Sequence, residues 1–384
     1  MRRKTNIYVM IMILLAVSIG IGYAYLQTNL TMIGNVIVRK YEPPRYLYDE
    51  IVAQNQENGL MVLDNESSTY VSASTGIDFS VAPSETNGKG VYVRNGTESD
   101  TYPVYYYRGA VTNNNVIFGG FCWKIVRTTE TGGIKLIYNG TPTDGACNNT
   151  GTASQLSSTS AFNYNAEYEF YNAHVGYMYG TPNSSTYEAE HLSTKDSTSS
   201  TIKVEIDSWF GDNMTGYISY LEDTVWCNDR SFASSNTGTG AGTSVTYYGA
   251  HGRVFNSSPA PSLECINQND RFTVNETMEG RVNGNGALTY PVALLTADEL
   301  TLAGQGYNGY STTNYLHTGQ VWWSLSPLYF SGDYALEFGV HASGPLYGIT
   351  LAYSYGVRPA VSLLLGTEIS KNGDGSVNSP FVVE

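Results

Sequence analysis

Charge is scarce in this sequence. Asp, Glu, Lys and Arg make up 14% of 384 residues, and acids outnumber bases 34 to 20, for a formal charge of −14. That sign repels phosphate backbones and argues against a nucleic-acid partner. Cysteine is scarcer: Cys122, Cys147, Cys227 and Cys265, with no CxxC among them, which argues against a zinc knuckle or a thioredoxin-type redox pair. The five histidines, at 174, 191, 251, 317 and 341, show no HxxxH or HExxH spacing, so no zinc site is read. No G-x-S-x-G nucleophile elbow occurs. Long apolar runs are missing as well, with one exception at the N-terminus.

That exception runs from Ile7 to Leu26 without a charge, behind Arg2, Arg3 and Lys4. Twenty residues at ~1.5 Å rise match a ~30 Å hydrocarbon core. The basic flank (1–6) is expected in the cytoplasm, with everything after the 7–26 helix outside. A cleaved signal peptide, with Gly22-Tyr23-Ala24 as the small-x-small site, is the rival reading. Residues 27–85 read as a membrane-proximal stalk or small subdomain. Within them Leu47, Ile51 and Val52 fall at helical spacing after Pro43-Pro44, ahead of Gly59.

What is abundant is Tyr (32) and Gly (40). The mix suits an extracellular, turn-rich fold containing β-structure. Tyrosine is a good strand former, and it also supplies contact area with a hydroxyl at low entropic cost. An even number of cysteines outside the membrane suggests two disulfides. We expect Cys122–Cys147 and Cys227–Cys265, because each closes one local segment; four reduced thiols are the alternative.

From residue 86 strand-like runs alternate with Asn/Gly turns. Thr131-Gly132-Gly133 should close a hairpin between 122–127 and 134–138. Ile202, Ile206, Trp209 and Phe210 stand at amphipathic-helix spacing. Thr296 and Glu299 read as a capping box ahead of a helix that Gly304 ends. Strands, two or three helices, then strands again make an α+β domain.

Several stretches carry a resemblance: TNGKGVYVRNGTE, YYYRGAVTNNNVIFGGFCWKIVRTTETGGIKLIYNG, WCNDRS, YPVALLTADELTLAG, and WWSLSP followed about thirty residues later by GVRPAVSLL. Over 86–384 the chain resembles a group of membrane-anchored surface proteins of Gram-positive bacteria. Its 321–365 segment resembles the C-type lectin-like superfamily, which includes sulfatase-modifying-factor enzymes and retroelement variable proteins. The resemblance implies a C-type lectin-like ectodomain over 86–384, with antiparallel strands. It places a ligand surface between the Trp-Ser and Arg motifs, where Tyr329, Asp333, Glu337, His341, Tyr347 and Tyr353 are the candidate contacts for an extracellular glycan or protein. The copper-binding cysteine pair of the modifying enzymes is not carried over, because Cys122 and Cys147 look structural.

The residues of that segment have their own reading. Alternation puts Trp322 and Trp323 on opposite strand faces, one buried and one half-exposed. In DYALEFGVH it makes Tyr334, Leu336, Phe338 and Val340 core, and displays Ala335, Glu337, Gly339 and His341. An ordinary solvated sheet edge explains such a pattern equally well. Arg358, among apolar neighbours, reads as a structural arginine tying down carbonyls. GQGYNG (304–309) follows a helix and is an accidental G-x-G-x-x-G match. KNGDGS (371–376) reads as Asn-Gly and Asp-Gly turns. No cofactor is expected, and calcium in an Asp/Asn-rich loop is the one ion left open. Glu222, Asp223 and Asp229 would serve a glycosidase only if two of them faced each other across a cleft. Asp229 beside Arg230 reads as a surface charge pair. The expectation is therefore a single-pass surface protein with a non-catalytic binding module outside. A cell-envelope enzyme and an envelope scaffold are the alternatives.

Overall fold

The computed structural model describes residues 10–19, 21, 43–57, 61–64, 69–72, 77–84, 89–94, 102–148, 153–164, 170–176, 178–180, 198–278 and 281–384. The chain divides into two compact units, Met1–Pro43 and Pro44–Glu384. In the first, residues 10–19 are helical and their apolar side chains are exposed, Met12 by 70%. No helix among the described residues is long and apolar enough to cross a membrane. The expected 7–26 span lies partly outside the described residues.

The second unit is α+β and opens with helix α1 (Leu47–Glu57). Its spacing buries Leu47 and Ile51 and leaves Val52 at the margin of the core. Arg45–Tyr46 pairs with Glu368–Ile369, and Gln54 accepts from the Tyr107 hydroxyl at 2.6 Å. Residues 44–57, read from sequence as stalk, thus belong to the same compact unit as everything C-terminal to them.

Strands β1 (Gly90–Arg94), β2 (Val104–Arg108), β3 (Asn115–Phe118), β4 (Phe121–Thr128) and β5 (Ile134–Tyr138) form most of a seven-stranded sheet. The β4–β5 hairpin closes where expected. Gly132 takes φ +83°, open to glycine without strain, and Thr129 N–H bonds to Gly133 O at 2.8 Å. The second sheet gathers β6 (Ser158–Ser160), β7 (Thr246–Tyr247), β8 (Trp322–Phe330), β9 (Ala335–Val340), β10 (Leu346–Thr350) and β11 (Tyr355–Val357). β8 pairs antiparallel with β9 and parallel with β11, so this sheet is mixed. The chain then returns to the first sheet as β12 (Ala360–Leu363), antiparallel to β5, and β13 (Phe381–Val382), parallel to β3.

Three more α-helices accompany the sheets, α2 (Thr201–Asn213), α3 (Gly249–Val254) and α4 (Ala297–Leu302). Within 86–384 these are the three α-helices among the described residues, in line with the two or three expected there, and α1 stands where the spacing of Leu47, Ile51 and Val52 placed a helix. Ser200 caps α2, and Ile202, Ile206 and Phe210 turn into the core as their spacing predicts. At α4 the capping box of Thr296 and Glu299 is present, and Gly304 follows with φ +85°. Both expected disulfides form, Cys122–Cys147 and Cys227–Cys265.

The face assignments in the 321–358 segment need correction. Trp322 and Trp323 are both buried, at 1% and 0% exposure. Trp323 Nε1 donates to Ser160 O at 2.8 Å, while Trp322 lies 4.8 Å beneath the Arg358 guanidinium. Ala335, Glu337 and Gly339 are buried as well; of the expected displayed set only His341 is exposed. Tyr334, expected in the core, is 44% exposed. Alternation reports sidedness only when one face of a strand meets water. β8 and β9 are central strands covered on both faces.

Candidate functional site

A cleft of about 570 Å³ opens beside the first sheet, within the size range of small-ligand sites. Its floor is built by α4. Glu299 reaches back to the Thr296 N–H as part of the capping box, and the same carboxylate takes Arg127 Nε of β4 at 2.7 Å and Lys135 Nζ of β5 at 3.0 Å. Burial alone would raise the Glu299 pKa, but the two cations hold it at about 2. Burial, with Arg127 adding to it, lowers Lys135 to about 8, and its ammonium sits 4.2 Å over the Trp226 ring.

One wall is an aspartate–arginine–aspartate bridge. Arg253 of α3 grips Asp298 through Nε at 2.9 Å and Nη2 at 2.8 Å, and reaches Asp229 at 2.7 Å. Burial works against its charge, but the two carboxylates raise its pKa above the ordinary value. The predicted Asp229–Arg230 surface pair is not formed. Asp229 belongs to Arg253, and Arg230 turns inward to Asp270 at 2.6 Å. Adjacent residues on an extended chain point to opposite sides, so sequence neighbours are poor candidates for a salt bridge. The Cys227–Cys265 disulfide ties another part of this wall.

Glu222, Asp223 and Asp229 all line this one cleft. Each carboxylate is already engaged. Glu222 is buried and accepts from the hydroxyls of Thr129, Thr131 and Ser362; burial raises its pKa and those bonds oppose the rise. Asp223 accepts from the backbone N–H groups of Val274 and Asn275 at 2.7 and 2.8 Å. Asp229 takes Ser231 besides Arg253. Among the described residues no group of three His, Cys, Asp or Glu side chains could hold a metal ion. Asp374, in the loop considered for calcium, caps the Ser376 N–H at 2.9 Å.

The six sequence-predicted contacts lie elsewhere and do not form one patch. His341 is exposed, with its ring edge-on to Tyr347 at 5.0 Å. Burial, with the nearby Tyr355 adding to it, raises the Tyr347 pKa, and the Tyr355 ring lies 6.1 Å from that of the 60% exposed Tyr353. Tyr329 belongs to a second group, 5.7 Å from both Tyr247 and His251. Asp333 is exposed in the β8–β9 turn. It stands at the opposite end of β9 from His341, about 25 Å away at ~3.3 Å per residue. Glu337 is withdrawn from the surface altogether. It accepts the Gly176 N–H, and burial pushes its carboxyl well above the usual carboxylate range, that bond and Arg230 opposing. Arg358 donates to Tyr138 O at 3.1 Å, Leu316 O at 2.9 Å and Asn139 Oδ1 at 3.3 Å, the carbonyl-tying arrangement expected of it.

Sequence reasoning missed Arg127, Lys135, Arg253 and Asp298 as cleft residues. Arg127 and Lys135 face each other across the β4–β5 hairpin, Arg253 and Asp298 come from helices more than a hundred residues later, and no spacing rule joins the three segments. Comparison with models of protein families, with curated proteins and with solved structures finds no match for this chain.

Proposed function

We propose that this chain is a non-catalytic binding module held at the outer face of a cell membrane by its N-terminal helix, taking an extracellular glycan or protein. The observation that carries this reading is the ring cluster formed by the edge strand β10, the turn before it and the chain leading into β11. His341, Tyr347 and Tyr353, joined through Tyr355, present aromatic faces and hydroxyls on a rigid support. Such rings suit sugar stacking or a protein hot spot. The α+β architecture and the buried Trp322, Trp323 and Arg358 are consistent with the C-type lectin-like resemblance. Glu337 leaves the proposed surface, and Tyr329 and Asp333 lie outside the cluster.

A second reading, a cell-envelope glycosidase, draws on Glu222, Asp223 and Asp229 sharing one cleft. The engagement of each with internal donors favours binding over acid–base chemistry, which needs a carboxyl free to exchange its proton. A glycan array probed with the full chain in detergent tests the proposal. Binding that Tyr347→Ala and Tyr353→Ala each reduce at least tenfold, with unchanged melting, supports it. Cleavage of an arrayed glycan that Glu222→Gln abolishes would replace it with the enzyme reading.

A further inference from the structure

Two exposed features of the second unit meet at one edge of the cleft. A 3-10 helix, Thr215–Tyr220, buries none of its six residues. Tyr217 is 37% exposed, Ile218 43% and Tyr220 39%. Phe118 packs beneath the two tyrosines at 5.4 and 5.9 Å, so their rings are held in place rather than free to turn inward. Leu364 continues this shelf. Its N–H bonds to Tyr220 O at 3.0 Å, and Leu364 and Leu365 remain 43% and 42% exposed. Both leucines also line the cleft, so the apolar shelf and the polar cavity share a border. Exposed apolar residues scattered singly are ordinary, but a contiguous shelf of five, two of which line the cavity, suits an interaction site.

The charge around the cavity sets the partner's sign. Its lining holds seven carboxylates against four cations. Most are paired, but Glu264 at the rim is exposed and its side chain makes no hydrogen bond among the described residues. The chain as a whole carries −14. A low-dielectric cleft with this imbalance draws in cations and repels anions.

We infer that the cleft and its shelf form a docking surface for a basic peptide segment of an extracellular protein. A lysine or arginine would enter the cavity toward Glu264, and flanking apolar side chains would lie on Tyr220, Ile218 and Leu364. An anionic lipid surface is disfavoured by the sign of the charge. A neutral sugar would leave the leucine shelf without a complement. This surface is separate from the His341–Tyr347–Tyr353 cluster and does not depend on it.

The test is selection of a random heptapeptide phage library on the full chain in detergent, followed by titration of synthetic copies of the enriched peptides. We expect enriched peptides with Lys or Arg next to Leu, Ile or an aromatic residue. Their binding should fall at least tenfold with Glu264→Lys and with Ile218→Asp, and should weaken as salt rises. Tyr353→Ala should leave it unchanged. Both affected variants carry exposed substitutions, and unaltered melting will show that they are folded. No enrichment, enrichment without a basic residue, or binding unaffected by Ile218→Asp would overturn the inference. So would sedimentation showing wild-type dimers that Ile218→Asp converts to monomers, because a second copy would then cover the shelf.

Discussion

Glu299 Oε1 lies 2.7 Å from Arg127 Nε in a site where neither side chain meets more than a trace of solvent. The carboxylate that caps α4 therefore also neutralises two buried cations of the first sheet, since Lys135 shares it. Removing one partner from a buried ion pair leaves the other charge uncompensated. Glu299→Gln is expected to destabilise the unit by about 3–5 kcal/mol, measured by chemical denaturation at neutral pH. Its pKa of about 2 lies below the unfolded value. The stability it contributes is present above pH ~4.5 and lost as pH falls toward 2. Glu299→Gln should therefore lack that part of the acid sensitivity; an unchanged acid profile would remove Glu299 from the account.

Glu337 works in the opposite sense. Its folded pKa is raised, so its stabilising share is full below the unfolded value and is lost as pH rises through the folded one. Glu337→Gln keeps an acceptor for the Gly176 N–H and removes the charge. At pH 7 it should be more stable than the wild type, and at pH 4 the two should melt nearly together. Destabilisation at pH 7 that vanishes at pH 4 would instead mean that the ionised carboxylate holds the core together.

Melting of two aromatic variants separates core from surface in the 321–358 segment. Phe338 is fully buried and Tyr353 is 60% exposed. Phe338→Ala should lose about 3–5 kcal/mol, and Tyr353→Ala under ~0.5 kcal/mol. If the two melt alike, Tyr353 is packed and the proposed ring cluster loses a member.

The disulfides close segments of 25 and 38 residues. The chain-entropy model assigns each ~3–4 kcal/mol. Paired Cys→Ser replacement of Cys122 and Cys147 should reduce stability by that amount in denaturant titrations. Peptide mapping without reductant should recover Cys122 with Cys147 and Cys227 with Cys265, and no crossed pairs.

Local physical rules made much of this molecule legible from its residues. The capping box at Thr296 and Glu299, the glycine turn at 131–133, the α2 stripe of Ile202, Ile206 and Phe210, and both disulfides depend on interactions within a few residues or one local segment. They were read correctly. Readings that depended on tertiary packing were not. Glu337 was assigned to a displayed face because strand alternation states which residues share a side; it does not state whether water reaches that side. Only the second sheet's place in the interior decided that. The cleft was invisible for a related reason. Arg127, Lys135, Arg253 and Asp298 sit on four separate elements, and the ion pairs joining Lys135 to Glu299 and Arg253 to Asp229 exist only once sheets and helices have packed. The sequence determined that acids outnumber bases and which of them start a helix. Tertiary packing decided which acid meets which base, because desolvated charges must find partners wherever the fold brings them.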